Sequence, residues 1–141
     1  MKNNKGFSLV ELIVVIAIMA ILAAVAIPTF ATFIKKANVA ADEDFANGVK
    51  YAVNLALAGE GKEAASITVT MDSDGQGIDK LTYTLKDDTT VYVAMGEAAN
   101  TETAASDKIK EMITTTIDQG YKLKTASVTT VAGISITKAE N

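Results

Sequence analysis

The chain changes its pattern of apolar and polar positions twice. Sixteen apolar residues, 12–27, follow one another without a polar position. Apolar residues then recur at steps of three, four and seven, which predicts one face of an amphipathic helix. Gly59 and Gly61 supply a stop signal at the end of this stretch. The pattern therefore predicts one long helix over residues 7–58.

The two parts of this helix suit different surroundings. Residues 7–30 are almost entirely apolar and are long enough to cross a membrane or to lie among other helices. Residues 31–58 have one apolar face, which we expect to pack on a soluble domain. Pro28 lies near the junction, where it removes a backbone donor and clashes with the preceding turn. We therefore expect a kink near Pro28.

After Gly61 the apolar positions alternate with Thr, Tyr and other residues at period two. This alternation predicts three strands, at residues 67–71, 81–85 and 91–95. The connections at 72–79 and 86–89 are rich in Asp, Gly and other turn-forming residues. Three strands joined by short turns predict an antiparallel meander.

A second helix and further strands follow the meander. Residues 106–119 have apolar positions on one helical face, with Ser106 placed to cap the start. Residues 121–130 and 134–138 have the composition of strands. The predicted fold class is therefore α+β: a long, kinked N-terminal helix packed on a small antiparallel sheet head, residues 59–141, that carries one additional helix.

Composition narrows the classes of function. The chain has 13 Lys and Arg against 17 Asp and Glu, a formal net charge of −4. With no basic stripe, direct nucleic-acid binding is not predicted. Cysteine and histidine are both absent, which excludes disulfides, thiolate nucleophiles, Cys/His zinc sites and a Ser–His–Asp triad. We therefore do not expect an enzyme.

Lys2 and Lys5 precede the apolar residues, which predicts that the N-terminus stays cytoplasmic and the rest is exported. Three interpretations compete: a secretory signal cut after residues 24–26, a plain transmembrane anchor, and a leader cut before the apolar residues. Glu11 bears on the choice, because a carboxylate costs roughly 2.5–3.5 kcal/mol near the bilayer centre. Neither a disposable signal nor a generic anchor benefits from it.

The first residues also form a motif. A basic leader ends in Gly6, Phe7 follows it, Glu11 comes four residues later, and the apolar helix with Pro28 is next; residues 6–11 read G-F-S-L-V-E. This combination resembles the type IV pilin family, including the pseudopilins of type II secretion and DNA-uptake systems. The resemblance is close over residues 1–30 and looser over the rest of the long helix.

The resemblance implies how the chain is processed. A prepilin peptidase would remove residues 1–6 by cutting between Gly6 and Phe7, and would N-methylate Phe7. The precursor would sit in the cytoplasmic membrane, with its N-terminus in the cytoplasm and its head outside. A pilus assembly platform driven by an ATPase would then move subunits into a homopolymeric helical filament at the cell surface.

The same resemblance implies the function. It favours a structural subunit of a type IV pilus that serves adhesion or motility, with a pseudopilin of a type II secretion or DNA-uptake system as the alternative. A third class, an exported domain with an ordinary anchor and an unrelated binding role, stays open.

Elementary electrostatics predicts a role for Glu11 in such a filament. Cleavage after Gly6 creates a charged amine on Phe7, about one helical turn from Glu11. In a low-dielectric setting the amine and the carboxylate attract strongly. The amine of the same chain or of a neighbour would then pair with Glu11 and set the axial register. The alternative is that Glu11 is merely tolerated at the level of the lipid headgroups.

Two acidic stretches of the chain, at residues 72–79 and 42–44, are candidates for binding or contact sites. Asp72, Asp74 and Asp79 are weak candidates for a calcium site, but their spacing fits the twelve-residue loop poorly, so a polar turn is favoured and no cofactor is expected. The acidic residues 42–44 are predicted to lie on a solvated helix face, with contacts between subunits as the alternative.

Many family members close the C-terminal region with a disulfide, which this cysteine-free chain lacks. What holds its last strands is therefore open.

Overall fold

The computed structural model of the chain describes residues 6–93, 95, 104–128 and 131–139. Two helices and five strands are assigned in this part of the chain. In chain order they are α1 (Leu9–Ala58), β1 (Ala64–Met71), β2 (Ile78–Leu85), β3 (Thr90–Val93), α2 (Asp107–Thr116), β4 (Ser127–Val128) and β5 (Ile134–Lys138). The predicted α+β fold class is confirmed.

Helix α1 ends where the glycines predicted. The amide of Lys62 donates to the carbonyl of Leu57 at 3.1 Å, and Gly61 adopts a positive φ of 68°. A glycine in this conformation closes a helix without steric cost. At Pro28 the helical backbone continues without interruption, and the kink expected there stays a prediction.

The strands of the described residues form one sheet in the order β3-β2-β1-β5-β4. Strands β1, β2 and β3 pair as the predicted antiparallel meander. The sheet is not wholly antiparallel, however, because β5 lies parallel to β1, with Ile67 opposite Ile134. A parallel pair needs a long crossover, here the chain that contains α2, so local turn patterns could not predict it.

The stretch predicted as a strand over 121–130 is mostly wrong. Strand β4 covers two residues of it, Ser127–Val128, and residues 129–130 lie outside the described part of the chain. Lys122 forms an isolated bridge with Gln76. The amides of Lys124 and Thr125 donate to a side chain on α1, and they are therefore not available to a strand ladder.

Two other boundaries differ less from prediction. Helix α2 ends at Thr116, earlier than expected, because Ile117 is in an extended conformation. Ser106 stands at its N-cap position, although its side chain makes no capping hydrogen bond. Of the predicted third strand, Met95 is buried outside β3, and residue 94 lies outside the described part.

The chain divides into two compact units, Met1–Ala37 and Asn38–Asn141. The division falls inside α1, so the second unit, which we call the head unit, contains the end of α1 as well as the sheet. The core of the head unit joins one face of this helical part to alternate positions of the strands and to α2. Fully buried examples are Val49, Val53, Leu57, Val69, Leu81, Ile113 and Ile136.

Candidate functional site at the N-terminal segment

Ser8 and Glu11 close the start of α1 by a reciprocal pair of hydrogen bonds. The amide of Ser8 donates to Oε2 of Glu11 at 2.8 Å, and the amide of Glu11 donates to Oγ of Ser8 at 3.3 Å. This is a capping box, which satisfies two backbone donors that a helix start leaves open. The spacing S-x-x-E was visible in the sequence, but the sequence-based interpretation did not use it. Glu11 therefore has a partner within its own chain.

Gly6 and Phe7 precede this cap in an exposed position. The side chain of Phe7 is 93% exposed. A Cβ added at Gly6 would meet no heavy atom within 4 Å. The two residues on either side of this peptide bond are therefore exposed, and a Cβ added at Gly6 would disturb no contact among the described residues.

The apolar surface that follows is not covered by the chain. The large apolar side chains between Leu12 and Ile34 are 46% to 69% exposed. Exposed apolar surface of this extent marks a contact with lipid or with other protein. In the described residues, α1 is the one helix whose length and composition suffice to cross a membrane, a test that an N-terminal signal sequence would also pass.

Pro28 lies within this apolar surface, next to two threonines that bond back to the helix. Thr29 Oγ1 donates to the carbonyl of Val25 at 2.9 Å, and Thr32 Oγ1 donates to the carbonyl of Pro28 at 3.1 Å. Side-chain bonds of this kind weaken the helix slightly and often bend it. They add to the local weakening that the proline causes.

Of the three acidic residues in the 72–79 connection, Asp72 and Asp74 lie in the turn between β1 and β2. Oδ1 of Asp74 accepts the amide of Gln76 at 2.9 Å, while Asp79 belongs to β2. The carbonyl of Asp72 accepts the amide of Gly75 at 2.7 Å. Across the described residues, no three Asp, Glu, His or Cys side chains form a group that could hold a metal. The expectation that the chain needs no cofactor stays a prediction.

A carboxylate that the sequence-based interpretation placed on a solvated face is buried instead. Asp42 is 1% exposed. Its Oδ1 accepts the Tyr121 hydroxyl at 2.8 Å and the Lys124 amide at 2.9 Å. Its Oδ2 accepts the amide and the hydroxyl of Thr125, each at 2.6 Å. Three adjacent acidic residues looked like surface, and the signal that sets Asp42 apart is its spacing of four and seven from buried Ala46 and Val49.

These contacts change two pKa values. Burial raises the pKa of Asp42, but the hydrogen bonds from Thr125, Lys124 and Tyr121 outweigh it and leave the pKa below its ordinary value. Burial, together with the hydrogen bond to Asp42 and its negative charge, raises the pKa of Tyr121 to about 12. Asp42 is therefore a charged acceptor and Tyr121 a neutral donor over the whole physiological range.

Comparison with known proteins bears on the first of these sites. The family model that describes the prokaryotic N-terminal methylation motif matches residues 1–27. The comparisons with curated proteins and with solved structures gave no match. The match includes Gly6, Phe7 and Glu11 and ends one residue before Pro28. It describes a structural motif and not a class of enzyme. The N-terminal segment thus carries the prokaryotic N-terminal methylation motif, the prepilin signal of type IV pilins and pseudopilins.

Proposed function

We propose that the chain is a pilin, a structural subunit that forms a type IV pilus for adhesion or motility. A prepilin peptidase cuts between Gly6 and Phe7 and methylates the new amine of Phe7. The apolar part of α1 holds the precursor in the cytoplasmic membrane, with the head unit outside. An assembly platform and its ATPase then transfer the subunit to a homopolymeric filament on the cell surface.

One observation carries this proposal. The matched motif includes a helical surface that is apolar on all sides from Leu12 to Ile27, and the large apolar side chains are exposed from Leu12 to Ile34. A membrane covers such a surface before assembly, and neighbouring helices cover it in a filament. The motif implies both stages, because prepilin processing precedes assembly into a pilus-type filament.

The position of cleavage is tested by mass spectrometry of the chain purified from cells that have a prepilin peptidase. We expect a mature chain that begins at Phe7 and carries one N-methyl group. An intact Met1, or a new terminus next to Ile27, would contradict the proposal. The matched variant is Gly6→Val: because a Cβ at Gly6 has no heavy atom of the described residues within 4 Å, uncut product would report the fit of the peptidase and not misfolding.

The choice between a pilus and a pseudopilus needs a separate measurement. Electron microscopy of material sheared from cells distinguishes long surface filaments from short filaments that stay within the envelope. We expect long filaments that contain this chain. Their absence, together with a loss of protein secretion or DNA uptake when the chain is deleted, would identify a pseudopilin.

The role of Glu11 is tested by separating its charge from its capping bond. Glu11→Gln keeps an oxygen that accepts the Ser8 amide but removes the charge. Ser8→Ala removes the other half of the cap and keeps the charge. If the carboxylate sets the register by pairing with the amine of Phe7, the first variant is processed but assembles poorly, while the second assembles nearly as well as wild type. The reverse order would show that the cap is what matters.

A further inference from the structure

A buried carboxylate joins parts of the head unit that are far apart in the sequence. Asp42 lies on α1, and its hydrogen-bond partners lie in a segment 79 to 83 residues later. Four donors from three residues point at its two oxygens. Hydrogen bonds to an ionised acceptor are about twice as strong as those between neutral groups. We call residues 119–125 the clasp segment.

The clasp segment is hydrogen-bonded on another side to the turn between β1 and β2. The amide of Gly77 donates to the carbonyl of Tyr121 at 3.1 Å, and the amide of Ile78 donates to the carbonyl of Gln119 at 3.2 Å. In return, the amide of Leu123 donates to the carbonyl of Gly75 at 2.8 Å. The segment therefore connects this turn to α1.

Tyr121 strengthens the attachment to α1 by a second contact. Its ring stacks on Phe45, with 4.2 Å between the ring centroids and 8° between the planes. Phe45 is three residues after Asp42 and thus lies on the same side of the helix. One side chain of the clasp segment thus combines an aromatic contact with a hydrogen bond to the carboxylate.

We propose that Asp42 is a noncovalent clasp, which locks residues 119–125, and through them the 75–78 turn, onto α1 so that the three parts open and close as one unit. The chain has no cysteine, so no disulfide can take this role. The clasp concerns the head unit alone, and it holds whether the assembled filament is a pilus or a pseudopilus.

Hydrogen–deuterium exchange of the full chain in detergent micelles tests this unit. Asp42→Asn keeps the size of the side chain, but it removes the charge and turns an amide group toward donors that need an acceptor. We expect exchange at the amides of Lys124 and Thr125 to rise roughly tenfold, the effect of losing about 1.4 kcal/mol. Exchange at Gly77 and Ile78, which do not touch Asp42, should rise by a similar factor.

Two matched variants separate the clasp from general effects. Asp44→Asn changes an exposed carboxylate on the same helical turn and should leave exchange unchanged. Tyr121→Phe keeps the ring and removes one donor, so it should raise exchange at the same amides by a smaller factor. The amides of the β1–β2 ladder beyond Ile78, whose own amide bonds to Gln119, should stay protected in all three variants, because Asp42 makes no bond to them.

Trypsin gives a second readout, since Lys124 is exposed and its amide is bonded to Asp42. Cleavage after Lys124 should be faster in Asp42→Asn than in Asp44→Asn. If Asp42→Asn unfolds the whole head unit, Thr125→Val replaces it, because it removes one hydroxyl donor and leaves the carboxylate in place. Exchange that rises at Lys124 and Thr125 while Gly77 and Ile78 stay protected would overturn the proposal, as would no change at all.

Discussion

Glu11 and Asp42 are carboxylates on the same helix, and their surroundings are opposite. Glu11 lies at the start of an apolar surface that is exposed on all sides, and its side chain bonds to the backbone one turn away. Asp42 is buried and receives four donors from a distant part of the chain. Both oxygens of Asp42 thus accept hydrogen bonds from within the head unit. The side chain of Glu11 bonds only to Ser8 among the described residues, and it lies near the terminus that the proposed cleavage would create.

This difference extends to the two units. In the head unit the apolar faces of α1, the sheet and α2 cover one another, so its stability comes from the chain itself. In the described part of Met1–Ala37 the large apolar side chains are exposed, and in the proposed pilin lipid or neighbouring subunits would cover them. In one part of α1 the apolar side chains are therefore buried by folding, and in the other part they are buried only by what surrounds the chain.

The largest expected effect comes from making the same substitution in both parts. Leu57 is fully buried in the head unit, and Leu57→Ala should lower the free energy of unfolding by about 3 kcal/mol, because a cavity remains. Leu22 is 64% exposed, and Leu22→Ala should change the free energy of unfolding by less than about 0.5 kcal/mol. Both values are measured by denaturant unfolding of the full chain in detergent, with the circular dichroism of its tyrosines as the signal.

In filaments, the Leu22→Ala substitution should have a clear effect. If Leu22 is covered by neighbouring helices after assembly, Leu22→Ala should reduce the yield of sheared filaments although the isolated chain is as stable as wild type. Equal filament yields for wild type and Leu22→Ala would argue against a core made of these helices.

A smaller effect is expected from glycines. Gly75 is buried with a φ of 76°, and a Cβ there would collide with the side chain of Lys138. The lysine can move, but the left-handed backbone costs a non-glycine residue about 1–2 kcal/mol. Gly75→Ala should therefore destabilise the head unit by that amount in the same unfolding assay. Gly6→Ala, where a Cβ has open space, should leave unfolding unchanged; a loss of stability there would mean that residue 6 has contacts that folding needs.

The smallest effect concerns pH. Because the native pKa of Asp42 is below its ordinary value of 3.8, the ionised carboxylate contributes stability that is fully present above that value. The contribution is lost as the pH falls through the native pKa. The carboxyls of Glu63 and Asp87 also have lowered pKa values, caused mainly by hydrogen bonds from Lys86 and from the Thr89 amide.

The comparison of wild type with Asp42→Asn isolates one carboxylate from the others. The difference in unfolding free energy between the two proteins should shrink as the pH is lowered below 3.8. Tyr121 faces Asp42, but with a pKa of about 12 it keeps its proton throughout this range. A difference that stays constant down to the acid limit would mean that the native pKa of Asp42 is not lowered relative to the unfolded chain.

Local signals predicted the elements that they control. The end of α1 at Ala58 follows from Gly61, and β5 has the predicted bounds of residues 134–138. The start of α1 at Leu9, two residues later than predicted, follows from Ser8, whose hydroxyl acts as the cap. The meander followed from period two and turn residues. The methylation motif is also local, and it was therefore readable from Gly6 to Glu11.

The clasp and the parallel pair were not predictable in the same way. Asp42 and Thr125 are 83 residues apart, and no periodicity relates them. Strand β4 is shorter than the predicted strand over 121–130. The reason is that the Asp42 side chain, and not a neighbouring strand, accepts the amides of Lys124 and Thr125. Contacts of this kind depend on how helices and strands pack against one another in the folded head. A short stretch of sequence therefore does not reveal them.

The place of β5 has a consequence for the order of events at the membrane. It is the last of the described strands in the chain, yet it lies between β1 and β4, inside the sheet. Such long-range pairing is slow, since the chain between the partners must first be brought together. If the head is exported as proposed, β1 lacks its partner β5 until residues 134–138 have crossed the membrane. A chain halted before residues 134–138 have crossed would therefore hold an incomplete sheet, with one edge of β1 unpaired.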